Sequence, residues 1–349
     1  MPSCRWSLTL IVWSIVGTVV ACSQPDVIPA LESQSSGTGV RLQAVSAVSD
    51  QIVWVGGVGG TFARTVDGGH TWVAGIVPDA DSLQFRDVHG VDAMTAYLLS
   101  AGPGTQSRIY KTTDGGKGWT LQFVNQQPHA FFDCMGFWDA TTGVAFSDAV
   151  DGKMLIMRTV DGEHWEPLPA DRLPTPLPGE GGFAASGTCL VTFGDSLGWI
   201  GTGAAPIARV LQTLNRGATW SAVTTPMPAG EMAGITSVSF RSARVGMAVG
   251  GLIGQPDDQS DNVAVTADGG TTWTLGARPT FPGAAYGTSY VPGAMTPTVV
   301  TVGPGGASYS LNDGATWSVL DTLDYWGIGF AQRVGWLVGP AGRITKVLF

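Results

Sequence analysis

The sequence has few charged residues and little material for helices. Charged residues make up 13% of the 349 residues, about half the share of a typical soluble domain. The net charge of −9 argues against a nucleic-acid partner, because such a partner needs lysine and arginine to neutralise its phosphates. With 50 glycines and 21 prolines the chain turns often, and beyond residue 30 apolar residues show no sustained helical spacing. Short apolar runs between Gly-rich turns predict an all-β fold.

Cysteine and histidine are also scarce. There are four of each, with no CxxC pair and no metal-ligand spacing of histidines, which argues against a zinc or thioredoxin-like site. Cys134 and Cys189 are the two cysteines beyond the N-terminal region. A disulfide between them is allowed in an oxidising compartment, but two separately buried thiols are the expectation. The sequence predicts no metal and no cofactor.

Residues 1–21 have the features of a lipoprotein signal peptide. Arg5 gives a minimal positive start, and residues 7–20 form an apolar run that is too short for a comfortable membrane span. The letters VVAC, ending at Cys22, have the form of a bacterial lipobox, in which cleavage precedes the cysteine and the thiol is acylated. An ordinary signal peptide with an incidental cysteine is the alternative. We expect an exported lipoprotein on the periplasmic side, at the outer membrane in a Gram-negative host because Ser23 rather than aspartate follows.

A repeated pattern runs through the rest of the chain. A Thr or Ser is followed two residues later by Asp or Asn, then by one or two glycines and a Trp, as in TVDGGHTW at residues 65–72. Successive copies are 47, 47, 54, 53 and 44 residues apart, a period typical of propeller blades with four short strands. The acidic or amide residues are Asp67, Asp114, Asp161, Asn215, Asp268 and Asn312, and the tryptophans are Trp72, Trp119, Trp165, Trp220, Trp273 and Trp317.

The residue types of the repeat suit a tight hairpin. The Asp or Asn side chain accepts hydrogen bonds from backbone N–H groups one turn onward, and the glycines permit positive φ. The Trp offers a large apolar face between structural units. The third copy has one residue fewer before Trp165 and predicts a tighter turn. These residues are therefore expected to be structural.

The last repeat is cut short by the end of the chain. A piece of the form WVGG begins at Trp54, 13 residues before its repeat aspartate, and recurs at Trp336, from which the same distance reaches Phe349. The sequence predicts a tether over residues 22–38 and a single domain over 39–349. This domain is a seven-bladed β-propeller of four-stranded antiparallel blades. Residues 30–39 are the available donor of the missing strand, so that both termini close the ring and remove free sheet edges. Six complete blades with a stray C-terminal hairpin is the alternative.

The repeats resemble the Asp-box, or BNR, repeat. Combined with the WVGG pieces at this period, they are most similar to the photosystem II stability/assembly factor-like propellers. The stretch GEGGFAASGT at residues 179–188 is similar to a bacterial exported subgroup of that family. The resemblance covers residues 40–349 and implies a non-catalytic binding or assembly role with an extracytoplasmic protein partner.

Candidate functional residues lie between the repeats. Arg86, Asp87, Asp133, Asp148 and Glu180 fall outside the repeat turns, near the expected innermost strands or their loops, where they are candidates to line the central channel. Two carboxylates at a defined separation would suit a glycosidase, so an extracytoplasmic glycan-active enzyme is the alternative function, and a glycan-binding lectin is another. The arginine motif of sialidases is absent, since the nearest match, at Arg41, lacks its Ile-Pro. No catalytic residue is assigned.

Overall fold

The computed structural model describes residues 28–349, so the predicted signal peptide and Cys22 lie outside the described residues. Seven antiparallel sheets of four strands each form a seven-bladed β-propeller, as predicted. The innermost strands of successive blades contact one another around the whole ring. Within residues 28–349 the helical pieces are three short 3₁₀ turns, Gly104–Gln106, Ala170–Arg172 and Pro340–Gly342. No helix in this range is long and apolar enough to cross a membrane.

Each blade runs outward from its innermost strand, and blade 7 alone borrows a strand from the N-terminal side, β1 (Ala30–Ser35). Blade 1 consists of β2 (Leu42–Ala47), β3 (Val53–Gly57), β4 (Thr61–Thr65) and β5 (Val73–Ile76). Blade 2 consists of β6 (Phe85–Gly90), β7 (Ala96–Ser100), β8 (Arg108–Thr112) and β9 (Thr120–Val124). Blade 3 consists of β10 (Phe132–Phe137), β11 (Gly143–Val150), β12 (Lys153–Thr159) and β13 (Glu166–Pro167). Blade 4 consists of β14 (Leu190–Phe193), β15 (Leu197–Gly201), β16 (Arg209–Thr213) and β17 (Ser221–Thr224), and blade 5 of β18 (Ala233–Phe240), β19 (Gly246–Leu252), β20 (Val263–Thr266) and β21 (Thr274–Leu275). Blade 6 consists of β22 (Gly287–Tyr290), β23 (Val299–Gly303), β24 (Gly306–Ser310) and β25 (Ser318–Asp321). Blade 7 consists of β26 (Gly327–Ala331), β27 (Val334–Val338) and β28 (Arg343–Leu348), together with β1.

The ring closes as the sequence predicts, with β1 completing blade 7. β1 pairs antiparallel with β28 over six register pairs, from Ala30–Leu348 to Ser35–Arg343. Gln34 joins blade 7 to blade 1, because its Oε1 accepts hydrogen bonds from the indole N–H groups of Trp72 (3.1 Å) and Trp336 (3.2 Å). The alternative with a stray C-terminal hairpin is therefore wrong.

The hairpins divide the propeller into two faces. In five blades a backbone N–H of the repeat turn donates to a carbonyl in the first hairpin of the same blade, for example Gly68 to Gln51 and Gly269 to Arg244. First hairpins and repeat turns therefore share one face, which we call the turn face. The loops between blades and those between second and third strands form the opposite face, the loop face.

The repeat residues form hydrogen-bonded turns. In the first copy, Asp67 Oδ1 accepts hydrogen bonds from the Thr71 N–H (2.9 Å) and the Thr65 hydroxyl (2.8 Å), and Gly68 and Gly69 have φ of 70° and 89°. In the shorter third copy, Asp161 Oδ1 accepts from the N–H groups of Glu163 and His164, one residue closer than in the first copy. These contacts occupy the carboxylates within the turns themselves.

Apolar side chains pack between neighbouring blades. Trp54, Trp199 and Trp336 are fully buried on second strands, and the Trp199 ring stacks on Phe240 of the next blade. Among the repeat tryptophans, Trp165, Trp220 and Trp273 are buried and the others are partly exposed. The core is thus a series of blade interfaces around the ring, as burial on both faces of each sheet requires.

Cys134 and Cys189 form a disulfide, so the expectation of two separate thiols is wrong. The bond joins innermost strand β10 of blade 3 to the segment entering blade 4, with a Cα–Cα distance of 6.1 Å. Both cysteines are buried. Sequence alone did not pair them because they are 55 residues apart, and only the ring brings two successive innermost strands side by side.

We expect the disulfide to contribute substantially to stability. The chain-entropy relation gives about 4 kcal/mol for the 55-residue separation of Cys134 and Cys189. The double variant Cys134→Ala/Cys189→Ala should therefore unfold at lower urea concentration, and reductant should shift the wild type but not the variant. Equal stability of the two proteins under oxidising conditions would contradict this assignment.

Candidate binding site at the mouth of the central channel

Polar residues stand at equivalent places near the loop-face ends of four innermost strands. A β-bulge interrupts the pairing at Gln43, Arg86, Asp133 and Thr236 in blades 1, 2, 3 and 5. Bulges bend a strand and redirect a side chain, and they are frequent next to functional sites. Gln43, Asp133 and Thr236 are buried, whereas Arg86 is partly exposed. The loop-face end of the channel is therefore ringed by polar side chains.

One segment, residues 179–188, crosses the channel at this end, and we call it the plug segment. It lies between blades 3 and 4 in sequence but reaches across the ring. Arg86 Nη1 of blade 2 donates to Ala184 O (3.1 Å), and Ser186 Oγ donates to Tyr286 O (2.8 Å) at the start of blade 6. Since blades 2 and 6 are well separated around the ring, the plug segment spans the channel between them.

Three glycines of the plug segment lie directly against three of the predicted site residues. A Cβ at Gly182 would stand 2.8 Å from Asp133 Cγ, and a Cβ at Gly187 would stand 2.6 Å from Asp87 Oδ1. A Cβ at Gly181 would overlap the Asp148 carboxylate. Only glycine permits this approach, so the glycines of the GEGGFAASGT stretch allow the plug segment to pack against the three aspartates.

The three aspartates support the plug segment and its surroundings. Asp87 Oδ2 accepts a hydrogen bond from the Met135 N–H (2.6 Å), and Asp148 Oδ1 accepts one from the Gly182 N–H (3.0 Å). Burial raises the pKa of Asp87 well above its usual value. Burial, and then the adjacent Asp148 carboxylate, raise the pKa of Asp133 well above 3.8. Asp133 Oδ2 is buried without a hydrogen-bond partner within residues 28–349, and two neighbouring carboxyl groups disfavour the ionisation of both.

Glu180 anchors the start of the plug segment. Its fully buried carboxylate accepts hydrogen bonds from Arg209 Nε (2.9 Å) and Arg209 Nη2, from Thr202 Oγ1 (2.8 Å) and from the Leu177 N–H (2.8 Å). The four predicted carboxylates thus converge around one segment. Both oxygens of Glu180 are engaged by the chain itself, whereas Asp133 Oδ2 is buried without a partner within residues 28–349.

Asp133→Asn is expected to change how stability depends on pH. The pKa of Asp133 is raised on folding. The neutral Asp133 side chain therefore contributes fully to stability below about pH 3.8, and this contribution is lost as the pH rises towards the pKa in the folded state. Asparagine needs no proton to stay neutral, so the variant should gain stability over wild type progressively as pH rises from 4 to 7. Urea unfolding across this range, with exposed Asp195→Asn as control, measures the difference. A difference that does not vary with pH would count against a protonated Asp133.

Beside the plug segment, two arginines and two aromatic rings form the mouth of the channel. The Arg41 guanidinium lies over the Trp326 ring, 4.2 Å from its centroid, and the Tyr286 ring meets Trp326 edge-on at 5.2 Å. Burial, and then the Arg41 cation, lower the pKa of Arg86. All four side chains remain partly exposed. We call Arg41, Arg86, Tyr286 and Trp326 the mouth cluster.

The mouth cluster carries two cations, and the Asp324 carboxylate lies close enough to Arg41 for their charges to interact, although the two form no ion pair. Within residues 28–349 neither Arg41 nor Arg86 forms an ion pair, and Arg41 Nε is buried without a hydrogen-bond partner. Arg86 instead donates to Gln84 Oε1 as well as to Ala184 O. No cluster of His, Cys, Asp and Glu suited to a metal ion occurs in this part of the chain. The arrangement is therefore suited to an anionic group flanked by an apolar surface.

A small cavity of about 140 Å³ opens beside Tyr286 on the loop face. Its walls include Pro256, Pro282 and Pro304, so its lining is largely apolar and stiff. A cavity of this size is adequate for one side chain. The mouth thus combines a cationic patch with an adjoining apolar recess.

Sequence reasoning identified Arg86 but missed the rest of the mouth cluster. Tyr286 and Trp326 each stand directly before the glycine that starts an innermost strand, in β22 and β26. An aromatic residue directly before such a glycine can be recognised in the sequence. The sequence connects Arg41 only with the sialidase arginine motif.

The fold and site define a seven-bladed β-propeller with a plugged channel and a cationic, aromatic mouth. Neither a protein-family model nor a curated protein matches the sequence. Among solved structures, the chain is similar to YCF48 bound to a D1 peptide (TM-score 0.60, 16% identity, covering 91% of this chain and 97% of that one). YCF48 from Cyanidioschyzon merolae is similar to the same extent (TM-score 0.60, 15% identity, 91% and 98%). A catalytically inactive virginiamycin B lyase from Staphylococcus aureus with quinupristin also matches (TM-score 0.62, 12% identity, 92% and 99%).

Proposed function

We propose that this chain is a non-catalytic, extracytoplasmic binding propeller that holds an anionic segment of a protein partner at its mouth cluster. The observation that carries the proposal is the pair of half-buried arginines, Arg41 and Arg86, which form no ion pair within residues 28–349 and stand beside two aromatic rings. Propeller loops on a stiff frame suit such a role.

A peptide carboxylate matches the chemistry of the mouth cluster. Guanidinium groups bind carboxylates through paired charge-assisted hydrogen bonds. Trp326 and Tyr286 offer flat apolar surface for the residue next to that carboxylate, and the cavity beside Tyr286 adds room for a further side chain. A free C-terminus or an acidic side chain both supply the anion. The D1 peptide bound to YCF48 shows that a propeller of similar fold accepts a peptide.

The proposed location is the extracytoplasmic side of a membrane, with lipid on Cys22 as the tether. The disulfide between Cys134 and Cys189 supports export, because such bonds persist in oxidising compartments. The lipobox supports the tether, and an outer-membrane position follows from Ser23 in a Gram-negative host.

The positions of the carboxyl groups argue against a glycan-active enzyme. Glycosidases hold two carboxyl groups about 5–9 Å apart on either side of a sugar. Here the Asp133 and Asp148 carboxyl groups are neighbours, and Gly181 and Gly182 of the plug segment lie against them. A lectin without hydrolysis remains compatible with the aromatic rings of the mouth, but the unpaired arginines favour an anionic peptide.

Selection of peptides against the intact protein tests the proposal. A random library with free C-termini should yield binders that carry an acidic group, and Arg41→Gln should weaken them by about 10- to 100-fold, the value of a charge-assisted hydrogen bond. Arg244→Gln, an exposed arginine on the turn face, is the matched control and should leave affinity unchanged. Binders that are indifferent to Arg41→Gln would overturn the proposed site, and turnover on a glycoside panel that Asp133→Asn abolishes would favour the enzyme.

A further inference from the structure

The strand that closes the ring fixes where the preceding chain leaves the propeller. Ala30, the first residue of β1, pairs with Leu348. The next residue, Phe349, donates its N–H to Arg333 O in the first hairpin of blade 7 (3.1 Å), as repeat turns do in other blades. β1 therefore begins on the turn face, and the chain before it departs from that face.

The distance from this point to the proposed lipid anchor is short. Cys22 stands six residues before Ile28, and an extended chain covers at most about 3.6 Å per residue, so their separation is limited to roughly 20 Å. Acyl chains on Cys22 would lie in the bilayer. The turn face is consequently kept near the membrane surface.

The turn face presents apolar side chains at positions where its turns do not need them. Three of these residues precede the Asp or Asn of a repeat turn, a place that takes no part in the side-chain hydrogen bonds of the turn. Two others project from the first hairpins of blades 2 and 6, and one precedes β1. The exposed fractions are Val66 50%, Val160 60%, Leu214 65%, Met94 47%, Met295 80% and Ile28 81%.

Exposed acidic residues occur on the turn face, for example at Asp50, Asp139 and Asp195, so charge alone does not distinguish the two faces. The loop face also carries exposed acidic residues along its rim. The mouth cluster opens on this face, inside that rim. The acidic residues of the loop face are Asp79, Asp81, Asp151, Asp171, Glu231, Asp257 and Asp261.

We infer that the turn face lies against the lipid surface that anchors the chain, with its apolar side chains at the headgroup boundary and the mouth cluster opening away from it. This inference rests on the proposed lipid tether at Cys22. Amphipathic surfaces sit at this depth when apolar area and an anchor act together. The partner then reaches the mouth from the aqueous compartment.

Depth-dependent quenching on the acylated full-length protein tests this orientation. Single cysteines are introduced at Leu214→Cys on the turn face and Ile207→Cys on the loop face of the same blade, both at exposed apolar positions. A second pair, Met295→Cys and Met232→Cys, repeats the comparison with exposed methionines. Each protein is labelled with an environment-sensitive fluorophore and reconstituted in phosphatidylethanolamine–phosphatidylglycerol vesicles containing doxyl lipid.

We expect loss of emission at positions 214 and 295 and almost none at 207 and 232. Equal quenching of both faces, or stronger quenching at 207 and 232, would overturn the orientation while leaving the tether and the mouth cluster intact. Mass spectrometry of the N-terminal peptide is run on the same samples. A Cys22 without acyl chains would overturn the orientation together with the tether, but not peptide binding, which is measured separately with Arg41→Gln.

Discussion

Deletion of residues 28–35 is expected to open the ring and lower the free energy of unfolding by about 5 kcal/mol. β1 contributes six register pairs with β28, and each net hydrogen bond is worth about 0.5–1.5 kcal/mol. The deletion also removes Gln34, whose Oε1 accepts from Trp72 and Trp336, and leaves β28 as a free edge prone to association.

A chain that starts at residue 28 is the matched control for this deletion. Both proteins are exported with the same cleavable leader, so that the disulfide forms in each. Urea unfolding and light scattering give their stability and association. Gln34→Ala serves as a milder variant, expected to cost about 1–3 kcal/mol because the indole N–H groups of Trp72 and of the buried Trp336 lose their acceptor. If the deleted protein were as stable and monomeric as the control, ring closure by β1 would not hold the fold together.

Glu180→Gln is expected to destabilise the protein by about 3–5 kcal/mol, the usual result of breaking a buried ion pair. Glu180 is fully buried, and Arg209 is its partner at both carboxylate oxygens. Glutamine leaves the Arg209 charge without an anion and places an amide N–H₂ where an acceptor is needed. The start of the plug segment should loosen as a result.

Glu163→Gln provides the comparison for this substitution. Glu163 pairs with Lys111, but its side chain is 53% exposed, so water compensates for the loss and the cost should stay below about 1 kcal/mol. Urea unfolding measures both variants. Amide exchange of residues 179–188 reports whether the loss is local. A Glu180→Gln protein as stable as Glu163→Gln would refute the anchoring role of Glu180.

The architecture followed from the sequence because its signals are local and repeated. Each turn needs its own Asp or Asn and glycines, so the copies near Asp67 and Asp268 are readable one at a time, and their spacing counts the blades. The truncated copy after Trp336 predicted a strand borrowed from residues 30–39, and Ala30–Ser35 supplies it.

The site was predicted in part because its contacts are not local. Asp87 and Asp133 lie on innermost strands and Asp148 on a second strand, but the glycines that they contact, Gly187, Gly182 and Gly181, lie far along the chain. Only the folded ring shows that these carboxylates hold a plug segment. The place of Arg41 at the mouth was not predicted for the same reason, since its aromatic partner, Trp326, is at the other end of the sequence.

Hydrogen exchange of the intact protein with and without a selected acidic peptide tests the central claim most directly. The mouth cluster predicts slower exchange at residues 39–43, 84–87, 284–287 and 324–327 when the peptide is bound, with the turn face unchanged. Protection confined to the repeat turns, with no change at these four segments, would contradict the claim that this propeller binds its partner at the mouth of the channel.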